Sequence, residues 1–351
     1  MLQIDKNLAE LTADLINIPS VSLSEKDLAD QIQTALATLA TLEVTRIENT
    51  LIAKTNFNFS SRVILAGHLD TVPANQNQEA IISQDSISGL GAVDMKSGIA
   101  VMLKLAQVVQ EFKKDVTFLF YEAEEIESKY NGLEKVAQKN PEFLLGDFAV
   151  LLEPTNAILE MGCQGSIRFK ISIKGSRAHS ARWWKGENAI HKAQKILEIV
   201  NNYQPRTPII EQLTFREGLQ IVAINGGIAG NVVPDLVEIS LNHRFAPDRT
   251  EAQAIAHLTE LFADFEIEIL DVAVAAPVSL DNPLVSEFVK QTDLPLAPKF
   301  GWTDVARFSK LNIPAINFGP GDPNLAHHPE EAVEITQLDT VFQRLSTWLK
   351  K

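Results

Sequence analysis

At 351 residues, with 45% apolar and 22% charged side chains, the chain has the make-up of a soluble globular protein and enough length for two cores. A net charge of −14 argues against nucleic acid and anionic membrane surfaces as partners. The single cysteine, Cys163, excludes an internal disulfide, and no long apolar run or basic leader is present, so no membrane span and a cytoplasmic location are expected.

Leu8, Leu11, Leu15 and Ile18 recur at helical spacing and stop before Pro19, which predicts a first helix over 7–18. Ser24 reads as the N-cap of a second helix, with Leu28, Ile32, Leu36 and Leu39 on one face. Short strands are expected at 42–47 and 51–54. Val63–Ala66 is an apolar, partly β-branched run ending at Gly67, so it reads as a buried strand. The polar stretch 74–88 has room for a hairpin. The glycine-rich turn 89–98 then enters an apolar helix ending near Phe112, and strands follow at 115–121 and 147–152. Strands alternating with helices predict an α/β domain with a mixed, largely parallel sheet flanked by helices.

The pattern changes after Gly165. An alternating strand at 166–174, a helix at 188–203, strands at 218–226 and 236–245, a helix from Asp248 to about Phe265 and a strand at 266–270 follow in turn. The order β-α-β-β-α-β predicts an inserted α+β, ferredoxin-like domain over 165–271. The first domain then comprises 1–164 and 272–351, resuming with a helix near 284–290, a strand at 314–318 and a closing helix at 338–349. No repeat or low-complexity tract interrupts it.

Chemistry-bearing residues follow the predicted strands, where open α/β sheets place their ligand sites. His68 can offer one ring nitrogen to a metal while Asp70 accepts a hydrogen bond from the other. Asp94 sits in the glycine-rich turn, Glu124 and Glu125 follow Phe118–Tyr121, Glu153 ends Val150–Leu152, and His327 lies in the loop 319–328. Singly, each suits a solvated loop or a helix cap. Together they place two imidazoles and three or four carboxylates on one sheet edge. That set suits two zinc ions with a bridging carboxylate and open positions for water. Without a cation, such carboxylates would repel one another. His327 and His328 are adjacent, and spacing alone does not choose between them.

Gly67-His68-Leu69-Asp70, Val93-Asp94-Met95-Lys96, Glu124-Glu125, Glu153-Pro154 and the late His327 resemble the dinuclear-zinc amidohydrolases. That family includes aminoacylases, glutamate carboxypeptidases, acetylornithine deacetylases and succinyl-diaminopimelate desuccinylases. The longer strings Glu160–Gly165, Arg177–Arg182, Arg216–Leu219, His243–Pro247, Phe300–Val305 and Gly319–His327 resemble its actinobacterial desuccinylase branch. The resemblance implies a zinc-hydrolase-type catalytic domain holding two zinc ions per chain, with cobalt as a substitute. His68 and Glu153 would hold one ion, Glu125 and His327 the other, and Asp94 would bridge them. Asp70 would orient His68, and Glu124 would be the general base. The inserted domain would act as lid and homodimer interface, sending His179 to the partner's site to bind the oxyanion. Arg177, Asn231, Arg244 and Thr303 would bind a small anionic N-acyl amino acid, with Arg182 and Arg307 as further carboxylate binders. The implied reaction is cleavage of N-succinyl-L,L-diaminopimelate to succinate and L,L-diaminopimelate. Deacylation of another N-acyl amino acid such as N-acetylornithine is the alternative, and a catalytically silent binding protein on this fold is a third reading.

Overall fold

The computed structural model describes residues 2–351. Its main strands in chain order are β1 (Glu43–Ile47), β2 (Thr50–Lys54), β3 (Arg62–His68), β4 (Asp115–Tyr121), β5 (Phe148–Leu151) and β6 (Leu159–Met161). After them come β7 (Gly165–Lys174), β8 (Gly218–Gly226), β9 (Leu236–Phe245), β10 (Ile267–Ala273), β11 (Leu296–Pro298) and β12 (Ala315–Asn317). The chain divides into two compact units. One comprises Met1–Met161, Ser279–Ala297 and Arg307–Lys351; the other comprises Gly162–Val278 and Pro298–Ala306.

The first unit is built on an eight-stranded sheet of order β1-β2-β4-β3-β5-β12-β6-β11. Its four central strands, β4, β3, β5 and β12, run parallel, and the pairs β1–β2, β2–β4 and β12–β6 are antiparallel. β4 and β5 are buried throughout, as is β3 beyond Arg62. A strand covered on both faces needs apolar side chains at every position rather than alternate ones, which explains the unbroken runs Val63–Ala66 and Phe118–Tyr121. Helices Leu8–Ile16, Lys96–Ala106 and Ile335–Leu349 pack together in this unit. Asn7 caps the first by accepting the Glu10 amide at 2.9 Å.

Ser24, expected as a cap, lies one residue early. The second helix is Lys26–Ala37, and the preceding Glu25 makes no side-chain cap. Its carboxylate instead accepts the amides of Leu23 (3.0 Å) and Ala123 (3.1 Å), bracing the turn that leads to Glu124. Two glycines allow the close approach that assembles the sheet edge. A Cβ on Gly98 would lie 2.4 Å from the Leu152 carbonyl oxygen, and one on Gly319 would lie 2.3 Å from the same atom. Any side chain at either position would push the adjoining segment off the end of β5.

The second unit carries a four-stranded antiparallel sheet of order β8-β9-β7-β10. Helices at Ala189–Lys192 and Gln194–Asn201 connect β7 to β8, and Glu251–Leu261 connects β9 to β10. This is the ferredoxin-like arrangement that the strand order predicted. Thr250, not Asp248, starts the later helix. Its hydroxyl accepts the Gln253 amide, and the Gln253 side chain accepts the Thr250 amide in return. Ile167, Phe169 and Ile171 of β7 alternate inward with Val237, Ile239 and Leu241 of β9 against Ile196, Leu258 and Phe262. Each side chain of this kind contributes roughly 1.5–3 kcal/mol relative to exposure. Among the described residues no helix is long and apolar enough to cross a membrane.

Candidate metal centre

The parallel strands all point their C-terminal ends at one edge, and the segments there carry six acidic or imidazole residues, five of which cluster. β3 ends on His68, the turn after β4 carries Glu124 and Glu125, and Glu153 follows β5. Asp94 sits at the turn before helix Lys96–Ala106, across a cis peptide to Met95. His327 comes from the loop after β12, with a left-handed φ of 63°.

His68 Nε2 lies 2.9 Å from Asp94 Oδ1. His327 Nε2 lies 2.8 Å from Glu125 Oε1 and 3.4 Å from Asp94 Oδ2. The two oxygens of Asp94 therefore face two different imidazoles. Potential ligand atoms of His68, Asp94 and Glu153 fall within 4.8 Å of one another, and so do those of Asp94, Glu125 and His327. Two pockets sharing one carboxylate match the donor preferences of divalent zinc: nitrogen and oxygen ligands, few enough to leave positions for water. His68 Nδ1 faces the Asp70 carbonyl oxygen at 3.0 Å, which fixes a proton on Nδ1 and turns Nε2 toward the cluster.

The electrostatics of these side chains favour positive charge between them. Burial disfavours a charged His68, yet its hydrogen bonds to Asp70 and Asp94 lift its pKa well above the ordinary value. His327, hydrogen-bonded to Asp94 and Glu125, is raised to about 10. Burial opposes ionisation of Asp94, but the two imidazoles hold its carboxyl far below the usual range. Ligands so strongly attracted to positive charge release protons when a metal displaces them.

Asp70 is fully buried and belongs to the same edge. Its Oδ1 accepts the Glu124 amide at 2.9 Å, and its Oδ2 accepts the Glu125 amide at 3.1 Å and the Ser22 hydroxyl at 2.7 Å. Of the adjacent histidines, His327 reaches the carboxylates, whereas His328 Nδ1 accepts the Glu330 amide. Ser22 and Glu331 were not anticipated. Glu331 accepts the amides of Gly91, Val93 and Asp94.

The remaining expected residues lie in the second unit, except Arg307. Residues 176–187 form a projecting hook closed by backbone hydrogen bonds between Ser176 and Glu187 (2.9 and 3.0 Å). Residues 231–233 brace it: the Ser180 amide donates to Asn231 O and the Val233 amide to Ala178 O, both at 2.9 Å. His179 pairs with Val232 in the register, so Asn231 lies one position away, against Ser180. His179 Nδ1 accepts the Ala181 amide at 3.1 Å, leaving Nε2 available on an exposed ring. Trp183 and Trp184 stand 68% and 63% exposed beside Arg182. Arg177 is paired to Asp235 at 2.7 Å. Arg244 is half-buried on β9 with no ion pair among the described residues, and Thr303 is buried in the segment 298–306. Arg307, expected to bind carboxylate, is instead buried in the first unit between Glu134 and the Ser128 hydroxyl.

Paired pockets that share a carboxylate are a device of hydrolases using two divalent cations. The chain belongs to peptidase family M20/M25/M40, which it matches over residues 64–351. It is 45% identical to a Mycobacterium tuberculosis protein provisionally named succinyl-diaminopimelate desuccinylase, with 99% of each chain covered. It is 42% identical to a succinyl-diaminopimelate desuccinylase of Corynebacterium glutamicum, covering 97% of this chain and 95% of the relative. A crystal structure of a Staphylococcus aureus tripeptidase shares the fold with a TM-score of 0.80 at 22% identity, covering 100% of this chain and 98% of the other.

Proposed function

We propose that this chain hydrolyses N-succinyl-L,L-diaminopimelate to succinate and L,L-diaminopimelate in the cytoplasm. The observation carrying this reading is the full-length 42% identity to the Corynebacterium glutamicum desuccinylase, supported by the clustering of His68, Asp94, Glu125, Glu153 and His327. His68 and Glu153 would hold one zinc ion and Glu125 and His327 the second, with Asp94 serving both. Two bound zinc ions, or cobalt in their place, supply a water acidified toward neutrality and positive charge facing the amide carbonyl. Glu124 takes the attacking water's proton and returns it to the leaving amine. Asp70 holds Glu124 and Glu125 through their amides and keeps His68 in the coordinating tautomer. His179 donates a hydrogen bond to the developing oxyanion. Arg177, Asn231, Arg244 and Thr303 receive the substrate's carboxylates, which gives an acidic protein local cationic groups for an anionic ligand.

The inserted domain makes the protein a homodimer and carries His179 to the partner's site. β8 is an edge strand, and its Val222 and Ile224 are 62% and 50% exposed, with Leu197 of the neighbouring helix also exposed. Apolar side chains along an unpaired edge favour pairing with a second copy about a two-fold axis.

The deciding experiment assays zinc-loaded protein on N-succinyl-L,L-diaminopimelate and N-acetylornithine side by side, following release of the primary amine. The expected result is a kcat/KM at least tenfold higher on the succinyl substrate. Faster turnover of N-acetylornithine would transfer the assignment to that deacylase, and no turnover of either by a metal-replete chain would leave the catalytically silent reading.

A further inference from the structure

Glu331 is 1% exposed, yet it is not placed to ligate a metal, because backbone donors occupy both of its oxygens. Oε1 accepts the amides of Val93 (2.8 Å) and Asp94 (3.0 Å), and Oε2 accepts that of Gly91 (3.1 Å). Burying a carboxylate is costly unless such donors satisfy it, and three amides converging on one side chain fix the turn that bears Asp94. Glu331 is also tied into the loop that bears His327, four residues upstream. Its amide donates to the His328 carbonyl (3.1 Å), and its carbonyl accepts the Gly89 amide (3.1 Å). The strand Ala332–Glu334 then pairs with Ser86–Ser88, anchoring the far side. One residue therefore joins the two segments that supply Asp94 and His327.

We propose that Glu331 is a positioning residue that sets the spacing between the Asp94 turn and the His327 loop, and so tunes the Asp94–Glu125–His327 pocket for its cation. The proposal rests on the metal-centre reading above. Asp94 serves both pockets, but only the second takes ligands from both segments that Glu331 joins. Loosening that link acts more on the second pocket than on the one completed by His68 and Glu153, which are held at the ends of the central strands.

The test compares wild type, Glu331→Ala and Glu331→Gln as full-length, metal-free protein. Gln keeps the volume and one acceptor but turns an amide donor on the Gly91 N–H, so it remains informative if the Ala variant does not fold. Hydrogen exchange of the peptide 89–95 should quicken at least about tenfold, with other central-sheet peptides unchanged. In zinc titrations against a competing chelator, one of two binding steps should weaken by roughly 10–100-fold while the other moves by less than about threefold. Unchanged exchange at 89–95 would overturn the proposal. So would uniform loss of protection with both steps weakened equally, the signature of a merely structural residue. A wild type that takes up no zinc would defeat the metal-centre reading instead, a distinct failure because exchange is measured without metal.

Discussion

Both oxygens of Asp70 are occupied, by the Glu124 amide on one side and by the Glu125 amide and Ser22 hydroxyl on the other, while His68 Nδ1 stands 3.5 Å from Oδ1. Burial works against its charge, but the hydrogen bonds from His68 and these donors hold its carboxyl below the ordinary range. Asp70→Asn keeps the shape but turns an amide toward donors, so activity or metal affinity should fall roughly 10–100-fold. Ser22→Ala, which removes one donor of four, should have the smaller effect. Glu124→Gln should abolish turnover while elemental analysis still finds two metals, whereas Glu125→Gln should lose one. Metal loss from the first with an active second would reverse those roles. Of the proposed ligands, His68, Glu125 and Glu153 were legible because each lies at or just beyond the end of an apolar strand, whereas Asp94 and His327 stood out as chemistry-bearing residues of a glycine-rich turn and a loop. Ser22 and Glu331 were not, since each is defined by partners 48 to 240 positions away, and no local pattern marks them.

At the scale of elements, β8 and β9 coincide with the runs that alternation marks out, 218–226 and 236–245. The strand expected at 314–318 is present as β12, but the three-residue strands β6 and β11 are harder, because three residues carry no periodicity and are defined by their neighbours. Arg307 failed as a ligand binder for a related reason: an arginine's partner, here Glu134, is invisible until the chain folds. β8 and β9 are also joined by a buried side chain. His243 Nδ1 donates to the Gly218 carbonyl at 3.0 Å, while Nε2 is buried without a hydrogen-bond partner among the described residues. Burial pushes its pKa down from 6.5 to about 4, helped by His257 and Arg249 nearby. The unfolded chain therefore binds a proton here before the folded chain does. The stabilisation is complete above pH 6.5 and is lost as pH falls from 6.5 toward 4, by at most about 3 kcal/mol. Urea unfolding at pH 7 and pH 5 should show a steeper loss for wild type than for His243→Phe. Parallel losses would exclude His243 as the source.

At the scale of the whole molecule, the question is whether one chain suffices. His179→Ala should depress kcat by roughly 10²–10³-fold while retaining metal, since an oxyanion donor acts in the transition state. Mixing it with Glu124→Gln under verified subunit exchange separates two cases. If His179 serves the partner, one site in the heterodimer collects both lesions and the other is intact, so activity returns on mixing. If His179 serves its own chain, every site keeps one lesion and the mixture stays inactive.

The hook that carries His179 also gives the protein an optical reporter. Of its four tryptophans, Trp183 and Trp184 are the two most open to water, while Trp348 is enclosed by Phe148 and Phe288. Emission from the open pair should be red-shifted and quenched by iodide, and emission from Trp348 should be blue-shifted and shielded. A second subunit or a bound substrate covering the hook would shift the spectrum to the blue and blunt the quenching. Association could then be followed in real time on the unlabelled chain, with Trp183→Phe and Trp184→Phe showing which ring reports it.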